Sequence, residues 1–296
     1  MPTPTPALYR EFTSQAQIDA QYNAGASIPD AASYMQGFVE RSRHARGAVR
    51  CVLDVPYGPT LDETLDIFPA DAPGSPGAPV FVFIHGGYWR ALGSKDFSCV
   101  ALGLQPLGIP TVVIDYSLCP KVGIDEITRQ VRAAVAWVLR HIGVHGGDPA
   151  RVAVGGHSAG GHLAAMCLQT AWDRDYGLAP DPLVAGVLVS GLYDLAPLRY
   201  SYLQPMIQLD DGVIRRQSPM FSVRPCKTPA LVTWGGDEPD EFRRQSDDFN
   251  AAWVAAGNRS KRAPMAGVNH FTAIYGFEEP KSMLCSWVAQ ALGVRR

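Results

Sequence analysis

The segment RVAVGGHSAGGHLAAMCLQTA, residues 151–171, decides how the rest of the chain is read. It opens on a short apolar run, Arg151–Gly155, and ends on Ala159–Ala171, a stretch that suits a helix. Between them stands Gly156-His157-Ser158-Ala159-Gly160, a G-x-S-x-G pentapeptide. A strand that turns at once into a helix holds its middle residue in a strained conformation. The two elements also approach closely, and glycines two residues to either side remove the clash. The serine then projects above the sheet at a helix N-terminus, where the dipole favours developing negative charge. Five residues are a weak pattern in a chain with 29 glycines; the strand-to-helix context gives this one weight. Ser158 is the candidate nucleophile.

Outward from this point strands alternate with helices. Strands are expected at Val80–Ile84, Thr111–Asp115, Arg151–Gly155, Val184–Ser190, Ala230–Trp234 and Arg259–Met265, several of them continuous apolar runs. Helices fit between or after them at Ser94–Leu104, Ile124–His141, Ala159–Ala171, Glu241–Ala256 and Pro280–Leu292. Ile124, Ile127, Val131, Ala134, Val135 and Val138 form a stripe of 3.6-residue period. Upstream, Val49–Val55 and Glu63–Phe68 flank the turn Pro56-Tyr57-Gly58-Pro59 and read as an antiparallel pair. The whole order argues for an α/β fold with one mostly parallel sheet of about eight strands, covered by helices on both faces. Residues 46–296 form that single domain, with an insertion near 193–229 placed to sit over the ligand crevice. Residues 1–45 hold a Pro/Thr tail and helices at Ser14–Tyr22 and Ala31–Ser42. This extension either closes over the crevice as a cap or mediates homodimer formation. Pro69–Pro79 reads as a surface loop.

Bulk properties narrow the function. Of 296 residues 47% are apolar, enough for a large core, and the net charge of −2 has no run of one sign. Nucleic acid and anionic membranes are therefore not expected partners. Six cysteines at 51, 99, 119, 167, 226 and 285 lack paired or zinc-type spacing and read as free thiols in a reducing compartment. The start of the chain has no basic, apolar leader, and no apolar run approaches a membrane span. A soluble cytoplasmic protein without metal or cofactor is the expectation.

A serine nucleophile needs oxyanion donors, a base and an orienting acid. His85-Gly86-Gly87-Tyr88-Trp89 follows the strand Val80–Ile84 and is an H-G-G-x sequence, the type whose backbone N–H groups bind an oxyanion. Gly87 and Tyr88 are the expected donors, with Gly86 in reserve and Ala159 completing the set. His85 is expected to brace the loop. Of seven histidines, His270 lies in the loop after the last strand and before the last helix, where the order Ser–acid–His puts the base. His157 and His162 are expected to pack beside the elbow or face away. The acid should follow Ala230–Trp234. Asp237 and Glu238 both qualify; the spacing from Gly235 favours Glu238. Tyr88, Trp89 and Tyr193 are the candidate substrate-binding residues, with Tyr200 and Tyr202 as further aromatic wall.

With these residues placed, the chain resembles the kynurenine formamidase (arylformamidase) branch of the α/β-hydrolases. The resemblance is carried by QYN (21–23), HGGYWR (85–90), GGHSAGGHLAA (155–165), SGLYDLAPLRYSYL (190–203), RRQSPM (215–220), EFRRQS (241–246) and NHF (269–271). HGGYW and GLYDLAPL are the more specific; GHSAGG is shared with many esterases. The resemblance implies a metal-independent serine hydrolase that converts N-formyl-kynurenine to kynurenine and formate. It implies a triad of Ser158, His270 and the acid just upstream of EFRRQS, which an ungapped count puts at Glu238. The run GDEPDEF departs from the pattern by its extra acidic residues, which keep Asp237 open. The expected partner is a small aryl amide or ester. A general short-chain carboxylesterase is the alternative, and a non-catalytic binding protein on the same fold is a third reading.

Overall fold

A strand covered on both faces must be apolar throughout, and the central strands of the computed structural model meet that condition. The structure describes residues 6–70 and 77–294. All but the last residue of the Pro/Thr tail, and positions 71–76 of the expected loop, lie outside the described residues. In chain order the elements are α1 (Gln15–Tyr22), α2 (Ala31–Ala48), β1 (Val52–Pro56), β2 (Thr64–Phe68), β3 (Ala78–Ile84), β4 (Thr111–Ile114), α3 (Ile124–His141), β5 (Gly147–His157) and α4 (Ala159–Leu168). There follow α5 (Trp172–Tyr176), β6 (Leu183–Val189), α6 (Gln204–Ile207), α7 (Asp211–Gln217), β7 (Ala230–Thr233), α8 (Asp240–Ala255), β8 (Ser260–Arg262) and α9 (Met283–Ala291).

The strands form an eight-stranded sheet in the order β1-β2-β4-β3-β5-β6-β7-β8. β1 pairs antiparallel with β2 and β2 with β4; every other pairing is parallel. Along β3 side chains alternate between two cores. Val80, Val82 and Ile84 face the layer of α3 and α4, while Phe81 and Phe83 face that of α2 and α9. The stripe of α3 is buried at all six expected positions. β4 and β5 flank β3 on opposite sides, so the chain reverses its winding there. Ligands bind at such a reversal, beyond the carboxyl ends of the strands. The HGGYW loop leaves β3 at this point and Ser158 leaves β5.

Two of the expected elements depart from the sequence reading. Ser94–Leu104 is not an α-helix but 3-10 turns at Ser94–Asp96 and Ser98–Ala101. The reason is close packing. Gly103 donates to the Phe277 carbonyl at 2.9 Å, and a Cβ on Gly103 would lie 2.4 Å from that oxygen. The end strand β8 is shorter than expected and continues only through a bridge between Gly235 and Met265.

Candidate active site

The Ser158 backbone has φ 57° and ψ −120°, strained for any residue with a side chain. Its N–H donates to the Val189 carbonyl at 2.9 Å and its carbonyl accepts from the His162 N–H at 3.1 Å. The flanking glycines are required by contact distance. A Cβ on Gly156 would lie 2.2 Å from the Gly160 carbonyl oxygen, and one on Gly160 would lie 1.9 Å from that of Ile84. Ala159 opens α4, so its N–H has no partner within the helix.

His270 is 7% exposed, and its Nδ1 lies 3.0 Å from Oε2 of Glu238. The Glu238 carboxylate is buried. Its Oε1 accepts from the Gly235 N–H at 2.7 Å and from the Ser190 hydroxyl at 2.5 Å. With a carboxylate on Nδ1, that nitrogen carries the proton and Nε2 is the free acceptor. The imidazole packs against Phe242 and His157, with ring centroids 4.6 and 4.5 Å away. Asn269 holds the loop by accepting from the Phe271 and Thr272 N–H groups. Asp237 is exposed and enters only through its backbone, donating to the Val268 carbonyl. Ser158 and His270 line one cavity but are not hydrogen-bonded to each other. Such bonds are often long without substrate and tighten in the Michaelis complex.

The loop after β3 turns through three consecutive left-handed residues, Gly87 (φ 107°), Tyr88 (φ 50°) and Trp89 (φ 57°). Only glycine fits the first, because a Cβ would lie 2.0 Å from the Ala91 carbonyl oxygen. Arg90 and Ala91 close the turn by donating to the Gly87 carbonyl. Among the described residues the Gly87 and Tyr88 N–H groups donate to nothing. His85 stacks on Tyr116 at 4.1 Å with its Nδ1 2.7 Å from the Gly86 carbonyl, as a brace for the loop would.

Residues 81–273, more than half of the chain, match a family model described as the alpha/beta hydrolase fold. The chain is an α/β-hydrolase. A kynurenine formamidase from Danio rerio is 28% identical over 95% of this chain and 97% of its own. One from Salmo salar is 31% identical over 82% of both chains. A crystal structure from Silicibacter sp., provisionally named a thioesterase, superposes with a TM-score of 0.82 at 28% identity, covering 92% of this chain and 99% of that one.

The hydrolase's cavity of about 210 Å³ is walled by the HGGYW loop, the elbow, the His270 loop, Tyr202 of the insertion and the N-terminal extension. The extension contributes Ala24, Gly25, Met35 and Phe38. It is tied down by buried polar bonds: Tyr22 donates to Glu241 at 2.6 Å and accepts from Gln245 at 2.8 Å. Tyr34 stacks on Phe271 beside the imidazole.

Two expected substrate-binding residues do not line this cavity. Trp89 is fully buried, its ring edge-on to His162 at 5.0 Å, because the left-handed turn swings it under the loop. Tyr193 is fully buried too, stacked on Phe249 of α8 at 4.3 Å. Tyr88 and Tyr202 do line it, while Tyr200 sits on a separate surface hollow. His157, expected to pack or face away, lines the cavity. Ser190 and Arg90 were not singled out from the sequence. The signals for Ser190 are its place at the end of β6 and at the head of the SGLYDLAPL segment.

His162 yields a stability prediction for the hydrolase. Its Nε2 bonds to the Gln217 carbonyl at 2.7 Å, and among the described residues Nδ1 has no partner. Burial pushes the imidazole down to about 4, partly opposed by that bond. The unfolded chain binds the proton near pH 6.5. Between these values only the unfolded chain is protonated, so stability present at neutral pH is lost as pH falls from 6.5 to 4, by about 3 kcal/mol. Burial depresses His157 in the same sense. The urea midpoint should therefore fall less between pH 7 and 4.5 in His162→Gln than in the wild type. Equal falls would refute the assignment.

Proposed function

We propose that this α/β-hydrolase is an arylformamidase-type serine hydrolase with Ser158 as nucleophile, His270 as base and Glu238 as orienting acid. The observation that carries this reading is the buried Glu238–His270 pair facing the same cavity as Ser158 on its strained turn. His270 Nε2 takes the hydroxyl proton as Ser158 Oγ bonds to the formyl or acyl carbon. Glu238 keeps the proton on Nδ1 and stabilises the imidazolium. The N–H groups of Gly87, Tyr88 and Ala159 hold the oxyanion, at about 3 kcal/mol per donor. Collapse expels the amine or alcohol, which takes the proton from His270. Water, deprotonated by the same imidazole, then releases formate or acid and restores Ser158.

The formamide reading is supported by relatives named kynurenine formamidase that align over most of their length. It is also supported by the size of the cavity, small against the ~300–1,000 Å³ of sites for larger ligands. A formyl group needs almost no acyl space, and the room that remains suits one aryl leaving group beside Tyr88 and Tyr202. We read residues 1–45 as part of a cap over this cavity, on the lining by Ala24, Gly25, Met35 and Phe38. The six free thiols favour a reducing, cytoplasmic setting.

The same chemistry cleaves short-chain esters, so substrate comparison is the test. We expect a higher kcat/KM for N-formyl-kynurenine than for p-nitrophenyl acetate. A preference for the ester by several orders of magnitude would remove the formamidase reading and leave a carboxylesterase.

A further inference from the structure

We propose that Arg90 binds an anionic group, above all a carboxylate, on the leaving half of the substrate. The enzyme would then select carboxylate-bearing aryl amides or esters over their neutral counterparts. The inference rests on the nucleophile and cavity assigned above and adds the residue that reads the charge on the leaving half.

The cavity's wall is largely apolar, with Met35, Phe38, Leu92, Phe97 and Phe271 prominent in it. Among its lining residues Arg90 alone carries a permanent charge. Its guanidinium carbon lies 5.9 Å from the centroid of Tyr202, which lines the same cavity. Burial raises the Tyr88 and Tyr202 phenols, and the nearby Arg90 charge opposes that rise at both. The guanidinium thus lies beside the Tyr202 ring, and Tyr88 lines the same cavity.

Among the described residues no carboxylate forms a salt bridge with Arg90. The acids that share the adjoining hollow with it are engaged elsewhere. Asp62 accepts from Lys121 and Ser117, and Asp115 accepts from the Tyr116 N–H and faces His85. An arginine beside apolar surface is normally matched by an acid, since a partly desolvated charge without a counter-ion is costly. A guanidinium fork fits a carboxylate with two parallel hydrogen bonds.

Position links this cation to the chemistry. Arg90 closes the very turn whose Gly87 and Tyr88 N–H groups donate to nothing among the described residues, giving its own N–H to the Gly87 carbonyl at 3.0 Å. One short loop therefore carries both the oxyanion donors and the cation. Ser158 and Arg90 line the same cavity, so a carbonyl at the first and an anionic substituent at the second would belong to one bound molecule.

The test uses two matched pairs on the full-length enzyme. One pair is a formanilide bearing a ring-linked carboxylate and the same compound with a primary carboxamide. The other is the corresponding pair of phenyl acetates. The wild type should favour the carboxylate in kcat/KM by about tenfold to a hundredfold, the range of a charge-assisted contact. The effect should fall chiefly on KM. Arg90→Gln should bring the ratio close to one, and Arg90→Lys should retain part of it. Competitive inhibition of the wild type by benzoate and not by benzamide gives the same answer without a variant. A wild-type ratio near one in both pairs, or a ratio that survives Arg90→Gln, would overturn the proposal. Charge preference on the acetates with no formanilide cleavage would instead overturn the formamidase reading and leave the role of Arg90 standing.

Discussion

Ser158→Ala will lower kcat by about 10⁵–10⁶-fold and abolish labelling by a fluorophosphonate probe, while the chain stays folded. The loss is large because the nucleophile itself goes; what remains is binding and oxyanion stabilisation, typically 10³–10⁴ over water. The fold should survive for a local reason. The turn is held by the Ser158 backbone, through bonds to Val189 and His162, and by contacts that only glycine permits at 156 and 160. Alanine meets the same φ of 57° with a similar steric cost, and no hydrogen bond to the His270 imidazole is lost. Near-unchanged thermal unfolding together with lost labelling is the expected pair of results. Equal labelling of variant and wild type would place the nucleophile elsewhere.

Glu238→Gln will lower kcat by about 10⁴-fold, whereas Asp237→Asn will stay within about twofold of wild type. The contrast follows from which atoms each acid offers. Glu238 uses Oε1 for the Gly235 N–H and the Ser190 hydroxyl, and Oε2 for His270 Nδ1. In the glutamine variant the amide oxygen keeps the first two donors, so the amide nitrogen faces the imidazole. That nitrogen donates, which forces Nδ1 to accept and moves the ring proton to Nε2. The base then points a proton at the serine and cannot take one. Asp237 lies exposed and contributes no side chain to this chain of bonds. A large fall in Asp237→Asn with little change in Glu238→Gln would reverse the assignment. Both variants are best read in kcat, because the damage is to the transition state more than to binding.

The parts of the site that were legible from the sequence share a property: each is encoded by a local backbone demand. The elbow needs glycines at fixed offsets from Ser158, and the oxyanion loop needs one at Gly87. His270 and the acid are tied to the ends of particular strands, and loop position narrows the acid to two neighbours. Choosing between those two requires knowing which side chain turns inward past Gly235. Spacing favours Glu238, whose carboxylate holds three hydrogen bonds in the structure, one of them to His270. Aromatic residues were the poor guide. Trp89 and Tyr193 have the composition of a binding wall yet fill the core, because an aromatic ring gains as much from buried contact as from a ligand.

The sequence by itself determined the order of strands, most of the helices and the two glycine-dependent turns. These follow from hydrophobic period and from steric rules that act within a few residues. Tertiary structure alone decided what surrounds Ser158. Met35 and Phe38 line the cavity from more than a hundred residues upstream, and Ser190, just past the end of β6, donates to Glu238. Arg90 lines the cavity, and among the described residues no carboxylate forms a salt bridge with it. Such contacts depend on how separate elements pack against one another, and no periodicity or spacing along the chain encodes that.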